Sequence, residues 1–192
     1  MAAEIRLVLV RHGETVGESS IRYNGITDVV LSSQGRQQAE EARLALAGET
    51  FDHLLASPLA RAWQTATILS PLQAIEIEED FREVNFGEWE GLTREEIEAR
   101  DPALYAEWRR QGRDFNYPGG EARENFRIRV ERGLGRLLEA NPPSALVVAH
   151  KGVIRVLTAA LTGEELPSLE PHLGAVIRLD NGAGGDWRIL GA

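Results

Sequence analysis

The chain is 192 residues long, room for one domain at about 150 residues each and for a core hiding roughly 70% of the unfolded surface. It carries 21 Lys+Arg against 30 Asp+Glu, a net charge of −9, with 43% hydrophobic residues and no cysteine. That balance argues against a generally basic nucleic-acid surface, and the missing thiols exclude disulfides, thiolate catalysis and Cys-ligated metals.

In chain order, Ile5 to Val10 is a short β-branched run that predicts a buried strand. Its apolar part, Leu7 to Val10, is too short for a signal segment or a membrane span. A cytoplasmic protein without membrane or nucleic-acid partners is therefore expected. A polar stretch from Arg11 to Gly25 follows, after which Ser32 or Ser33 caps a helix reaching about Ala47, with Gly48 as its stop. Asp52 to Ala56 predicts a second strand, Ala60 to Leu69 a helix, and Ala74 to Ile77 a third strand. Thr93 and Glu96 form a capping-box pair opening a helix interrupted at Asp101-Pro102 and resumed to about Arg110. Glu121 to Ala140 is a long helix with Phe126, Val130, Leu134 and Leu137 at helical spacing. Ala145 to Ala149 is a fourth strand, followed by a helix from about Gly152 to Leu161. Two weaker strands, Ala175 to Leu179 and Trp187 to Leu190, close the chain around Asn181-Gly182.

Strands alternating with helices predict an α/β fold with a mostly parallel sheet covered on both faces, and the closing hairpin an antiparallel strand at an edge. No repeat, low-complexity segment or flexible linker divides residues 1–192, so a single domain is expected, with a helical insertion around 91–120. The loops at Ser19-Ser20, Pro118-Gly119-Gly120 and Asn141-Pro142-Pro143 are too short to act as linkers.

Such sheets carry their sites beyond the carboxyl ends of the strands. There the chain places Arg11, His12 and Thr15 after the first strand, Ser57 to Arg61 after the second, Glu83 after the third, and His150 and Lys151 after the fourth. Two guanidinium groups can hold phosphate oxygens. One imidazole can attack phosphorus, the other can stabilise charge on the transferring group, and a carboxylic acid can protonate the leaving oxygen. His53 and His172 have no partner at ligand spacing and are assigned structural places. No metal-binding or nucleotide-binding pattern occurs, so neither a metal nor a cofactor is expected.

Four segments carry a resemblance. Leu9-Val10-Arg11-His12-Gly13-Glu14-Thr15, Ser57 to Ala66 (SPLARAWQTA), Glu83 to Gly91 (EVNFGEWEG) and Val147 to Arg155 (VVAHKGVIR) resemble, in order and spacing, the motifs of the histidine phosphatase superfamily. The likeness is to its phosphoglycerate-mutase-like branch. It implies a three-layer αβα sandwich and metal-free catalysis through a phosphohistidine. By position, His12 would be the nucleophile and Glu83 the proton donor, Arg11, Arg61 and His150 would line the phosphate pocket, and Thr15, Asn24 and Gly25 would contact substrate.

Two positions depart from the pattern. Many members carry Trp-Asn where this chain has Gly17-Glu18, which either weakens phosphate contacts or leaves Glu18 facing solvent. The residue after the second histidine is commonly Gly and here is Lys151, either a cation that recognises a second anionic group or a solvated helix-start lysine. The interval from Glu83 to His150 is short and contains the Pro118-Gly119-Gly120-Glu121 segment of the small phosphatases. That branch includes α-ribazole phosphatase, phosphoserine phosphatase and broad-specificity enzymes. A phosphomonoester hydrolase acting on a small phosphorylated metabolite is the expectation. A cofactor-dependent phosphoglycerate mutase and a non-catalytic phospholigand- or protein-binding module are the alternatives. Trp108, Phe115 and Tyr117 are candidate wall residues, with Trp108 assigned to the core, and a homodimer through an edge strand or exposed helix is conceivable.

Overall fold

The computed structural model describes residues 4–17, 21–163, 171–182 and 184–191. Strands β1 (Arg6–Arg11), β2 (His53–Ala56), β3 (Glu76–Ile77), β4 (Ser144–Ala149), β5 (Val176–Asp180) and β6 (Arg188–Gly191) form one sheet in the order β3-β2-β4-β1-β5-β6. β3, β2, β4 and β1 are mutually parallel, whereas β5 runs antiparallel to β1. β6 returns antiparallel to β5 and so points the same way as β1. The antiparallel strand expected at the edge thus lies one place in, because the closing hairpin docks through its first strand and leaves β6 outside.

Alternation along the inner strands splits the core in two. Val8, Val10, Leu54, Ala56, Leu146 and Val148 face one layer, packed on Ala42, Ala62, Ala66 and Leu69 of helices α1 (Ser33–Ala45) and α2 (Ala60–Leu69). Leu7, Leu9, Leu55, Ala145, Val147, Ile177 and Leu179 face the other. There they meet Phe126, Val130 and Leu134 of α5 (Arg123–Ala140) and Val153, Ile154 and Leu157 of α6 (Lys151–Thr162). Because β1 and β4 are covered on both faces, they are continuously apolar from Leu7 to Val10 and from Ala145 to Ala149, as buried parallel strands are. Truncating Leu9, fully buried, to Ala would cost about 2–5 kcal/mol.

The helix ends sit where their polar residues put them. Ser32 caps α1 by accepting from the Gly35 amide at 3.0 Å. Thr93 and Glu96 make both bonds of a capping box at the start of α3 (Arg94–Arg100). Asp101 then caps α4 (Pro102–Gln111), whose Pro102 needs no amide partner in the first turn. These two helices lie within residues 91–120. α5 begins at Arg123, two residues later than predicted, and Glu121 is instead an ion-pair partner of Arg129 at 2.7 Å. Among the described residues no helix is long and apolar enough to cross a membrane.

Candidate active site

β1 and β4 pair in register with Arg11 opposite Ala149. The residues that follow, His12 and His150, therefore leave the sheet side by side, and the His12 amide still donates to the Ala149 carbonyl at 3.1 Å. Their rings meet edge-on, 5.0 Å between centroids. β2 pairs with β4 one place earlier, so the Ser57 amide bonds to the Val148 carbonyl and delivers its hydroxyl beneath His150.

The hydrogen bonds set both tautomers. His12 Nδ1 lies 2.7 Å from the Gly13 carbonyl, which can only accept, so Nδ1 carries the proton and Nε2 keeps its lone pair. His150 Nδ1 accepts from Arg61 Nε at 3.3 Å, so its proton sits on Nε2 and is given to Ser57 Oγ at 2.7 Å. Burial pushes both imidazoles well below their usual pKa range, reinforced at His12 by Arg61 and Arg11 and at His150 by Arg61 and His12. Both rings are neutral in the folded protein at neutral pH, the state in which an imidazole is a nucleophile.

Arg61, buried in the first turn of α2, holds the loop over the site. Nη1 donates to the Thr27 carbonyl at 2.8 Å, and Nη2 to those of Gly25 at 2.6 Å and Asn24 at 3.1 Å. Burial brings its pKa down to about 10 against the opposing pull of Glu83, Asp28 and Glu90, so it stays protonated at neutral pH. Arg11 anchors through Nη1 to the Pro171 carbonyl at 2.8 Å. Glu83 is buried, its Oε1 accepting from the Val84 amide at 2.9 Å and its Oε2 from the Gly152 amide at 3.0 Å in the first turn of α6.

A cavity of about 1070 Å³ opens above these groups. Arg11, His12, Thr15, Asn24, Arg61, Glu83 and Lys151 all line it, so seven of the nine residues named from the sequence converge on one space. The other two lie beneath it. His150 is fully buried with both ring nitrogens engaged, and it is not among the lining residues. It touches Arg61, Ser57 and the edge of the His12 ring. Gly25 is a point of close approach: a Cβ there would fall 2.0 Å from the Val84 carbonyl oxygen, so only glycine lets the two loops touch. Gly17 has φ +78°, while Glu18 and the Ser19-Ser20 loop lie outside the described residues. Trp108 is half-buried, against the core and on the cavity wall together, where Tyr117 joins it, whereas Phe115 is buried in the core.

Four residues that shape the site were not singled out from the sequence. The Glu90 carboxylate collects the amides of Gly25, Ile26, Thr27 and Phe86 and the Thr27 hydroxyl, and so builds the loop that Arg61 grips from within. Asp28 caps α2 by accepting from the Ala60 amide at 2.7 Å. Arg129 of α5 donates to the carbonyls of Asp80, Arg82 and Glu83 at 2.7, 2.7 and 3.0 Å and pairs with Glu121. Ser57 fixes the imidazole of His150. Glu90 stands in a segment already quoted, but no local pattern announces that three of its amide partners lie more than 60 residues upstream. Among the described residues, no three His, Asp or Glu side chains come together in an arrangement that could hold a metal ion.

Comparison with known proteins agrees with this geometry. The sequence matches the histidine phosphatase superfamily (branch 1) over residues 7–190. It is 35% identical over 162 residues to the adenosylcobalamin/α-ribazole phosphatase of Escherichia coli (strain K12), covering 83% of this chain and 80% of that protein. It is 34% identical over 171 residues to the glucosyl-3-phosphoglycerate phosphatase of Mycolicibacterium vanbaalenii, covering 82% and 74%. The crystal structure of the α-ribazole phosphatase from Shigella flexneri superposes with a TM-score of 0.85 at 29% identity, over 97% of this chain and 96% of that one. With strand order, paired histidines and sequence in accord, the chain belongs to the histidine phosphatase superfamily, branch 1.

Proposed function

We propose that this chain hydrolyses a small phosphate monoester through a phosphohistidine on His12, without a metal ion. The observation that carries the reading is the tautomer of His12: Nδ1–H is committed to the Gly13 carbonyl, which leaves the Nε2 lone pair for chemistry in a cavity that also holds Arg11, Arg61 and Glu83. Nε2 attacks phosphorus, the P–N bond forms as the P–O bond to the leaving group breaks, and Glu83 gives its proton to the departing oxygen. Glu83 then takes a proton from water as that water attacks phosphorus, which releases phosphate and restores neutral His12. A positioned acid–base of this kind contributes about 10²–10⁴-fold. Arg11 and Arg61 sit where negative charge gathers on the transferring group, in a buried site where such charges act strongly. His150 holds Arg61 and keeps the histidine pair in place.

The test is phosphate release from a simple aryl phosphate with EDTA present, comparing wild type with His12→Ala. Turnover that survives the chelator and disappears in the variant is expected. No turnover by wild type between about pH 5 and 8 would favour a mutase or a binding module.

A further inference from the structure

We infer that Thr65 is a positioning residue for the nucleophile: through the Gly13 amide its hydroxyl fixes the backbone that orients His12, and it does so from the helix face that carries Arg61. The inference rests on the reading of His12 as nucleophile and names a residue that serves it.

The peptide between His12 and Gly13 is held at both ends. Its carbonyl accepts from the Gly174 amide at 3.3 Å, and its N–H donates to Thr65 Oγ1 at 3.3 Å. A Cβ on Gly13 would fall 2.2 Å from the Gly35 carbonyl oxygen, so the segment also lies flush on the first turn of α1. The carbonyl of Gly13, one residue on, takes the Nδ1 proton of His12 at 2.7 Å. The tautomer that bares Nε2 therefore depends on how this short segment is held.

The polarity of the Thr65 hydroxyl is fixed. Its oxygen lies 2.8 Å from the Arg61 carbonyl, which only accepts, so the hydroxyl proton is spent there and a lone pair is left for the Gly13 N–H. A bond of that kind back along the helix is common for a buried threonine, and Thr158 of α6 makes one to the Ile154 carbonyl at 2.8 Å. What matters at Thr65 is the second bond, to a loop 52 residues away that carries the nucleophile. Thr65 also stands one turn after Arg61 in α2, and both side chains are buried. The same turn sets the guanidinium directly and the imidazole through the hydroxyl, so the spacing of the two groups follows a helix and not a loop.

The experiment compares wild type, Thr65→Val, Thr65→Ala and Thr65→Ser by steady-state kinetics with phenyl phosphate, with Thr158→Val as the control for a lost back-bond. Nitrogen NMR of histidine-labelled protein reads the tautomer, the His12 signals being identified by their loss in His12→Ala. Thr65→Val keeps the shape of the side chain and leaves the Gly13 N–H facing a methyl group. Its kcat should fall about 10–100-fold, the scale of a displaced reacting group, with KM changed less than about threefold. The His12 signals should move from the Nδ1-protonated pattern toward a mixture of tautomers. Thr65→Ser should restore both, and Thr158→Val should leave both as in wild type. Should Thr65→Val fail to fold, the alanine and serine variants decide, since they differ only by the hydroxyl: equal kcat in those two overturns the inference. So does a kcat that falls while the His12 signals stay unchanged, a wild-type kcat in Thr65→Val, or an equal loss in Thr158→Val. Absence of phenyl phosphate turnover by wild type overturns the phosphatase reading, and the His12 signals then decide the role of Thr65 by themselves.

Discussion

The Glu83 carboxylate rests on the Gly152 amide at 3.0 Å, and a Cβ on Gly152 would lie 2.4 Å from Glu83 Oε1. The acid is therefore seated on a helix N-terminus that only glycine leaves open. Gly152→Ala must push Glu83 out of its seat, and it also crowds Phe126 at 3.1 Å. We expect kcat to fall about 10²-fold, the scale of a lost general acid, with KM changed less than threefold and near-native circular dichroism. An unchanged kcat would show that the seat is not used in the reaction.

Arg129 reaches the same acid from behind, through three backbone carbonyls of residues 80–83. Lysine cannot present the planar fork that spans them. Arg129→Lys should lower kcat about tenfold while leaving KM almost unchanged, and should shift the pH dependence of kcat. A loss in KM alone would place Arg129 outside the positioning of Glu83.

Glu90 accepts from four amides and a hydroxyl, so Glu90→Gln replaces one oxygen with a donor facing donors. Leaving such groups unsatisfied costs about 1–3 kcal/mol, and at about 2–4 °C per kcal/mol for a chain of this size the Tm should drop by roughly 2–12 °C. Since Arg61 is held by the carbonyls of the same loop, kcat/KM should fall as well. Scanning calorimetry and steady-state kinetics on one preparation check both. A stability loss without a kinetic one would separate the loop from the site.

The two buried histidines give stability a pH dependence of known sign. Their folded-state pKa values lie well below the unfolded value near 6.5. Below that pH the unfolded chain binds protons that the folded chain refuses, so stability falls as pH drops, by up to about 1.4 kcal/mol per pH unit for each histidine. Above pH 7 neither state is protonated there and the contribution vanishes. Urea unfolding at pH 7.5, 6 and 5 should show this loss, and His12→Asn should remove part of the slope. A slope identical in the variant would assign the acid sensitivity elsewhere.

Much of the fold could be read locally, because its signals are local. Apolar runs mark β1 and β4, Ser32, Thr93 and Asp101 cap their helices, and Asp101-Pro102 divides α3 from α4. Position after a strand end was enough to bring His12, Arg61 and Glu83 to one cavity, since a parallel sheet gathers those ends on one edge. What the sequence could not state is which atoms face which. Strand order moved the antiparallel strand β5 inside the edge. The ring nitrogens of His150 turned to Ser57 and Arg61, and Gly25 proved to be a contact between loops. Glu90 and Arg129 gained their roles mainly from amides of residues 25–27 and carbonyls of residues 80–83, 46 or more residues away. Residue type and spacing determine the strands, the caps and the chemistry available. The seating of the acid, the tautomers and the neutrality of the histidines depend on burial and on long-range backbone partners, which exist only once the sheet has closed and the loops have met.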